Sequence, residues 1–460
     1  MTKYCFPRMG ALPRALSCIL LLILFSCKKD LPYQPTDDNQ LSVSKEKTNN
    51  KTESESAEVA IDWYKLQLRM ILSANPATNG AINAENFAYI GIGLYESVRH
   101  GIKNSVSLSS RLYQMPAMPA KENNMGYSWS VAANAAMASL VRSLYPGLTQ
   151  ANLASIDSLE NAYNQKLSPA QGSTSFERSQ AYGRAIATAV YNWSKTDNFN
   201  VGNTGYVYKT GIGFWEPTPP AFAKGVNPFL GNARPFLSIH ATGVSPAPPY
   251  PYSEVVGSDF YNMVKDVYDV SKTLTTDTWK RDMALYWNDL GVNIGYTPQG
   301  HIMNIVIQAL EQSGASLSVA AQAFVKSSLA MRESQLTVFR SKYEYSQVRP
   351  VTYIRKVIDH DWFPLIPTPP HPEFPAAHAY VTGATMQALT DVLGDNFPVV
   401  DHTYDFRGFA PRPFSSLNKV ADESGASRRY GGIHYAPSIV VGLSEGRAVG
   451  HSFGSISLTE

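Results

Sequence analysis

Five residues in the last quarter of the chain have the types needed to hold one tetrahedral or trigonal oxyanion: Lys342, Arg349, His378, Arg428 and His434. Lys342 opens a K-x6-R-P block that ends at Pro350. His378 closes the run Phe374-Pro375-Ala376-Ala377-His378, and Arg428 and His434 belong to an S-R-x5-H block starting at Ser427. Three permanent cations suit a multiply charged oxyanion: arginine offers a planar fork of donors, lysine a compact point charge. Two histidines can divide the chemistry, one bonding to the central atom and the other moving protons.

The elements that must position them are legible nearby. Ala321, Phe324, Val325, Ser328, Leu329, Arg332, Leu336 and Phe339 recur at helical spacing, which puts Lys342 near a helix C-terminus. Pro350 disfavours helical geometry at Arg349, so that residue is expected in a loop. Pro375 fits the first turn of a further helix running to about Leu393. His378 and the free N–H groups of Ala376 and Ala377 would then lie at a helix N-terminus, where an anion is favoured. Tyr430-Gly431-Gly432 lets the backbone turn tightly between Arg428 and His434.

The three ordered blocks resemble the signature of vanadium-dependent haloperoxidases and the type 2 phosphatidic acid phosphatase superfamily, which reads K-x6-R-P, P-S-G-H and S-R-x5-H-x3-D. The first block matches in full. In the second, Ala376 and Ala377 stand for Ser and Gly; in the third, Ser438 stands for the final Asp. The resemblance implies an all-α fold of stacked helical bundles and a vanadate cofactor. Lys342, Arg349 and Arg428 would neutralise the vanadate oxygens, with the backbone of Ala376 and Ala377 beside them. His434 would be the axial metal ligand and His378 the acid–base group. The implied reaction is oxidation of iodide or bromide by hydrogen peroxide to hypohalous acid.

Two other readings use the same pocket. An acid phosphatase would attack a phosphate monoester with His434, forming a phosphohistidine, while His378 protonates the leaving oxygen. A non-catalytic lipoprotein would bind an oxyanion without turnover, which the departures at Ala376, Ala377 and Ser438 allow. One residue favours the peroxidase: the run from His371 to His378 is similar to the algal bromoperoxidase pattern H-P-x-[YF]-P-S-G-H, which adds His371 to the catalytic candidates. Gly442-Leu443-Ser444-Glu445-Gly446 spells G-x-S-x-G, but only His451 follows it, and no alternation of strands and helices precedes it. A zinc enzyme lacks its H-E-x-x-H. His360, His402 and His451 match no motif position.

A chain of 460 residues with 44% hydrophobic and 17% charged residues is an ordinary globular composition. Its net charge of +2 gives no reason to expect nucleic acid, and the sequence does not specify an oligomeric state. Lys3, Arg8 and Arg14 precede the apolar run Ala15 to Phe25, too short for a membrane span and suited to a signal peptide over residues 1–26. Leu24-Phe25-Ser26-Cys27 resembles a bacterial lipobox. This implies lipidation at Cys27, a periplasmic or outer-membrane-anchored lipoprotein, and membrane contact through that lipid alone. Residues 27–57 are polar enough for a flexible tether. Residues 58–460 are then one helical domain, its oxyanion site within 342–438. Helical patterns are expected from Glu58, then over Asn83–Gly101, Trp129–Leu144, Thr149–Leu167, Phe176–Lys195, Asp259–Leu290 and Thr297–Gln312. A Gly- and Pro-rich loop over Asn198–Ser253 interrupts them.

Overall fold

A computed structural model describes residues 51–460 apart from 146, 169–172 and 292. The expected signal peptide, Cys27 and most of the expected tether lie outside the described residues. The last residues assigned to that tether belong to the domain. Thr52 and Ala57 are buried, Leu317 N donates to Glu55 O (2.8 Å), and Ser130 N donates to Glu55 Oε2 (2.7 Å). Residues 51–57 are polar, but their polarity is spent on partners in the domain.

The described chain is built of α-helices. The first group is α1 (Glu58–Ser73), α2 (Gly80–Val98), α3 (Trp129–Leu144), α4 (Gln150–Leu167) and α5 (Thr174–Ser194). After a long loop come α6 (Asp259–Thr273), α7 (Thr278–Tyr286), α8 (Thr297–Ser313) and α9 (Leu317–Tyr345). The last group is α10 (Pro350–Val357), α11 (Ala377–Leu393), α12 (Leu417–Tyr430) and α13 (Ala436–Gly454). Two three-residue strands, β1 (Val399–Asp401) and β2 (Arg412–Phe414), pair antiparallel between α11 and α12. The single helix expected over Asp259–Leu290 is broken, because Asp277 caps a new start by accepting from Lys280 N (3.3 Å). No helix among the described residues is long and apolar enough to cross a membrane.

Helix α9 is the shared wall of the architecture. It packs against α2 on one side and against α11 and α13 on the other. At 29 residues it is long enough to serve both bundles, and 22 of its positions are buried. α11 and α13 approach closely because Gly442, Gly446 and Gly450 line one face of α13 at four-residue spacing. A Cβ on these glycines would meet the carbonyl oxygens of Ala376, Tyr380 and Ala384 respectively. This accounts for the G-x-S-x-G string: its glycines are packing surface on a helix, not a nucleophile turn.

The Gly- and Pro-rich loop between α5 and α6 wraps onto the chain that joins Lys342 to Arg349. Trp215 N donates to Ser346 O (2.6 Å), Val348 N to Gly213 O (3.0 Å) and Val226 N to Pro370 O (2.9 Å). Trp215 is buried and Phe214 partly exposed. The loop therefore braces two segments that carry site residues.

Candidate active site

Lys342 lies in the last turn of α9, as its spacing predicts. Arg349 caps α10 in an extended conformation (ψ 151°), Pro350 being the first helical residue. His378 is the second residue of α11, and Arg428 is in the last turn of α12. Gly432, with φ +80°, turns the chain toward His434 just before α13. Elements far apart in sequence thus bring all five residues into one cluster, in which His378 alone of the five is partly exposed.

Arg349 is the hub. Its Nη1 lies 3.2 Å from His434 Nε2 and donates to Ile433 O (2.8 Å). Its Nε donates to His371 O (2.9 Å), and its Nη2 lies 3.0 Å from His371 Nδ1. Arg428 Nη2 donates to Trp287 O (2.7 Å), and its Nη1 sits 3.4 Å from His378 Nε2. Lys342, Arg349 and Arg428 are all buried, and among the described residues none has a carboxylate within ion-pair distance. Burial destabilises their charge. It draws both guanidinium groups down to about 10 and the Lys342 ammonium well below its usual range, the last aided by the Arg349 charge.

The two histidines are held by different carboxylates. His434 Nδ1 is 2.8 Å from Glu373 Oε1, which also accepts from Tyr435 N (3.0 Å). A carboxylate partner puts the proton on Nδ1 and leaves the Nε2 lone pair facing Arg349. Burial, then Arg349 and Lys342, holds His434 well below the usual imidazole range, so the ring is neutral. His378 Nε2 lies between Asp289 Oδ2 (3.3 Å) and Arg428 Nη1 (3.4 Å). Burial and then Arg428 push His378 down to about 4, against the pull of Asp289.

Asp289 extends this contact into a buried chain. Its Oδ1 accepts from Tyr404 OH (2.7 Å) and pairs with His301 Nδ1 (2.8 Å). His301 Nε2 pairs in turn with Asp401 Oδ2 (2.8 Å), and Trp287 stacks on the His301 ring at 4.4 Å between centroids. Burial opposes charge on His301, but Asp289 and Asp401 outweigh it and raise the imidazole to about 9. With both ring nitrogens facing carboxylates, His301 is an imidazolium.

Three sequence expectations change. Pro375 precedes α11 rather than opening it. Ala376 N is not free, because it donates to Ser438 O (3.1 Å), while Ala377 begins the helix. Lys342 does not reach outward: its ammonium donates to the carbonyls of Pro372 (2.9 Å), Glu373 (2.9 Å) and Pro375 (2.5 Å). It fastens the loop that leads to His378 and adds its charge from there. His371 packs edge-on against Phe339 and buttresses Arg349; no hydrogen bond joins it to His378. Burial and the two nearby cations keep it neutral. His360, His402 and His451 are on the surface beside Asp361, Asp405 and Asp391, as expected of residues outside the motifs.

Sequence reasoning missed Glu373, Asp289, His301, Asp401 and Tyr404. Glu373 had a signal, since it lies inside the His371–His378 run and an acid is missing from the third block. The other four come from α8, β1 and the segments that follow α7 and β1, with no motif to announce them.

Residues 322–456 match the VCPO second helical-bundle domain, a span that runs from α9 to near the end of α13. A crystal structure described as the first bacterial vanadium-dependent iodoperoxidase is 29% identical, with a TM-score of 0.79 over 88% of this chain and 98% of that one. The apo form of a bacterial vanadium-dependent chloroperoxidase is 14% identical, with a TM-score of 0.60 over 81% of this chain and 92% of that one. Its holo form gives 15% and 0.59 over 84% and 93%; both share the fold. No curated protein is significantly similar to the chain in sequence. The domain match, the full-length likeness to the iodoperoxidase and the convergence of all three motif blocks on one cluster support a place for the chain among the vanadium-dependent haloperoxidases.

Proposed function

We propose that the protein is a vanadate-dependent haloperoxidase that oxidises iodide and bromide with hydrogen peroxide. One observation carries the reading: three buried cations, Lys342, Arg349 and Arg428, have no carboxylate within ion-pair distance among the described residues. Uncompensated buried charge is costly unless a counter-charge arrives, and a vanadate oxyanion supplies one. The donor set fits it further, because His434 Nε2 carries a lone pair beside Arg349 and its Nδ1 is occupied by Glu373. Bound vanadate supplies the Lewis acid that activates hydrogen peroxide toward a halide.

The protein's own residues have separable roles. Arg349 and Arg428 would hold the oxyanion and withdraw charge from it, while Lys342 fixes the 372–375 loop and would contribute its field. His434 would be the metal ligand. His378 is neutral at pH 7 and would accept a proton as the base, and Asp289 Oδ2 beside its Nε2 stabilises the resulting imidazolium. His371 positions Arg349 and makes that side of the site polar. The likeness of the 371–378 run to bromoperoxidases and the overall likeness to an iodoperoxidase support iodide and bromide over chloride, which demands a stronger oxidant.

Metal-free protein reconstituted with vanadate tests the reading. Iodide and bromide oxidation with hydrogen peroxide is expected, with little from chloride. If vanadate binds and no halide is oxidised, the reading fails. Phosphate monoester hydrolysis by the metal-free protein, inhibited by vanadate, would put the phosphatase in its place. We further propose export and lipidation at Cys27, supported by the lipobox-like Leu24–Cys27 run. Mass spectrometry of the mature N-terminus checks this, and a chain starting elsewhere without lipid refutes it.

A further inference from the structure

The family signature places an Asp four residues after the axial histidine, and this chain has Ser438 there. A short hydroxyl cannot give His434 a charged partner. Yet His434 Nδ1 does have a carboxylate, Glu373 Oε1 at 2.8 Å, from the segment that leads to His378. The carboxylate and the ring are both buried. Glu373 is also fixed along its backbone: its N donates to Gln347 O (2.9 Å), and its carbonyl accepts from Lys342 Nζ (2.9 Å). Its Oε1 takes a second donor, Tyr435 N, so the carboxylate grips the residue after His434 as well.

The remaining atoms connect the two positions. Glu373 Oε2 and Ser438 Oγ are both buried and both lack a hydrogen bond. Burial pushes the Glu373 carboxyl up to about 7, against the pull of Arg349, Lys342, Tyr435 N and the Ser438 hydroxyl. Ser438 O also accepts from Ala376 N, which ties the third block to the second. A small residue at 438 therefore leaves room for a carboxylate that arrives from the 372–375 loop. An acid at both places would bury two like charges together.

We propose that Glu373 is the positioning residue of His434, a carboxylate relocated from the third block to the second, and that Ser438 is small because Glu373 is there. This rests on the haloperoxidase reading for what His434 binds, but not for the contact itself. Glu373 holds the Nδ1–H tautomer and so keeps Nε2 available as a ligand.

The test is a reciprocal exchange with two readouts, nitrogen NMR of the imidazole tautomers in metal-free protein and equilibrium binding of orthovanadate. Glu373→Ala should scramble the His434 tautomer and weaken vanadate binding about 10–100-fold. Ser438→Asp alone should also weaken binding, by crowding two carboxylates. The double variant Glu373→Ala/Ser438→Asp should recover both the tautomer and most of the affinity. Glu373→Gln keeps the shape if the alanine variant does not fold, and should lose roughly tenfold in affinity. A Glu373 variant with wild-type tautomer and wild-type binding overturns the proposal, as does a folded double variant no better than the single one. Should wild-type protein bind no vanadate, the NMR arm still decides the Glu373 contact, and only the haloperoxidase reading falls.

Discussion

Replacing Asp401 by Asn should remove a pH-dependent share of the protein's stability. His301 is buried between Asp289 and Asp401, and its imidazole is raised from 6.5 to about 9. Below pH 6.5 the ring is protonated in both folded and unfolded chains, so the stabilisation is fully present. As pH climbs through 9 the folded protein must give up a proton that the unfolded chain has already released, and the stabilisation is lost. At about 1.4 kcal/mol per tenfold change in proton affinity, the interval amounts to about 3 kcal/mol. Complete burial leaves no solvent screening to discount. In Asp401→Asn, Oδ1 can still accept from Thr403 N (2.9 Å), but the amide then faces His301 Nε2 and donates to it. The ring becomes neutral, with one proton on the side of Asp289. Denaturant midpoints of metal-free protein measured from pH 6 to pH 9.5 check this. Wild type should lose about 3 kcal/mol across the range from this group, and the variant should be flatter by that amount. A second readout follows from the loss of the His301 charge, which helps depress His378, so the kinetic pKa of the base should rise from about 4. Parallel stability curves for the two proteins would refute the imidazolium bridge.

Other outcomes are equally specific. His434→Ala should abolish vanadate binding, read by titration, because it removes the neutral Nε2 that faces Arg349 with Glu373 holding the other ring nitrogen; wild-type binding would reject His434 as ligand. Asp289→Asn should lower halide-oxidation kcat by about 10–100-fold with vanadate still bound, since it removes the charge that pulls His378 upward; an unchanged pH–rate profile would exclude Asp289 from acid–base function. Gly446→Ala places a methyl against Tyr380 O between α11 and α13, and should cost on the order of 1–3 kcal/mol in thermal or denaturant unfolding; a neutral effect would mean the helices can separate freely.

How much was legible follows from how far each residue's role depends on its neighbours in sequence. Lys342 near a helix end, Arg349 in an extended cap and the Gly432 turn are local consequences of periodicity, Pro350 and a glycine pair. Each was readable from a few adjacent residues. The Trp129–Leu144 helix has the bounds its pattern gives. What the lysine does with its charge was not readable, because three carbonyls of a loop 30 residues away determine it. Likewise Asp277, an ordinary acid in an amphipathic stretch, becomes a helix cap only when the chain breaks there. His301 carries no motif: a lone histidine on an apolar helix reads as filler until Asp289 and Asp401 arrive from two other segments. The 51–57 segment failed in the opposite direction, since polar composition says how little a segment buries but not whether its polar groups find partners.

The arrangement of charges explains why the site needs both buried chains. Three cations alone would bind an anion tightly, but they would also depress both histidines, and burial does the same. Depression suits the ligand role proposed for His434, which needs an unprotonated ring nitrogen, and Glu373 satisfies its Nδ1 without restoring a proton to Nε2. It does not suit the acid–base role proposed for His378, which requires a proton to be accepted and released again. Asp289 corrects this selectively: it touches His378 and is itself kept ionised by His301. Since His301 is balanced by Asp401, the second chain adds little net charge to the cluster. Lys342, Arg349 and Arg428 still outnumber Glu373 and Asp289, so the cluster keeps its preference for an anion while two chemically identical rings are given different surroundings. On this reasoning the carboxylates distinguish the ligand from the base, and the cations select what both of them act upon.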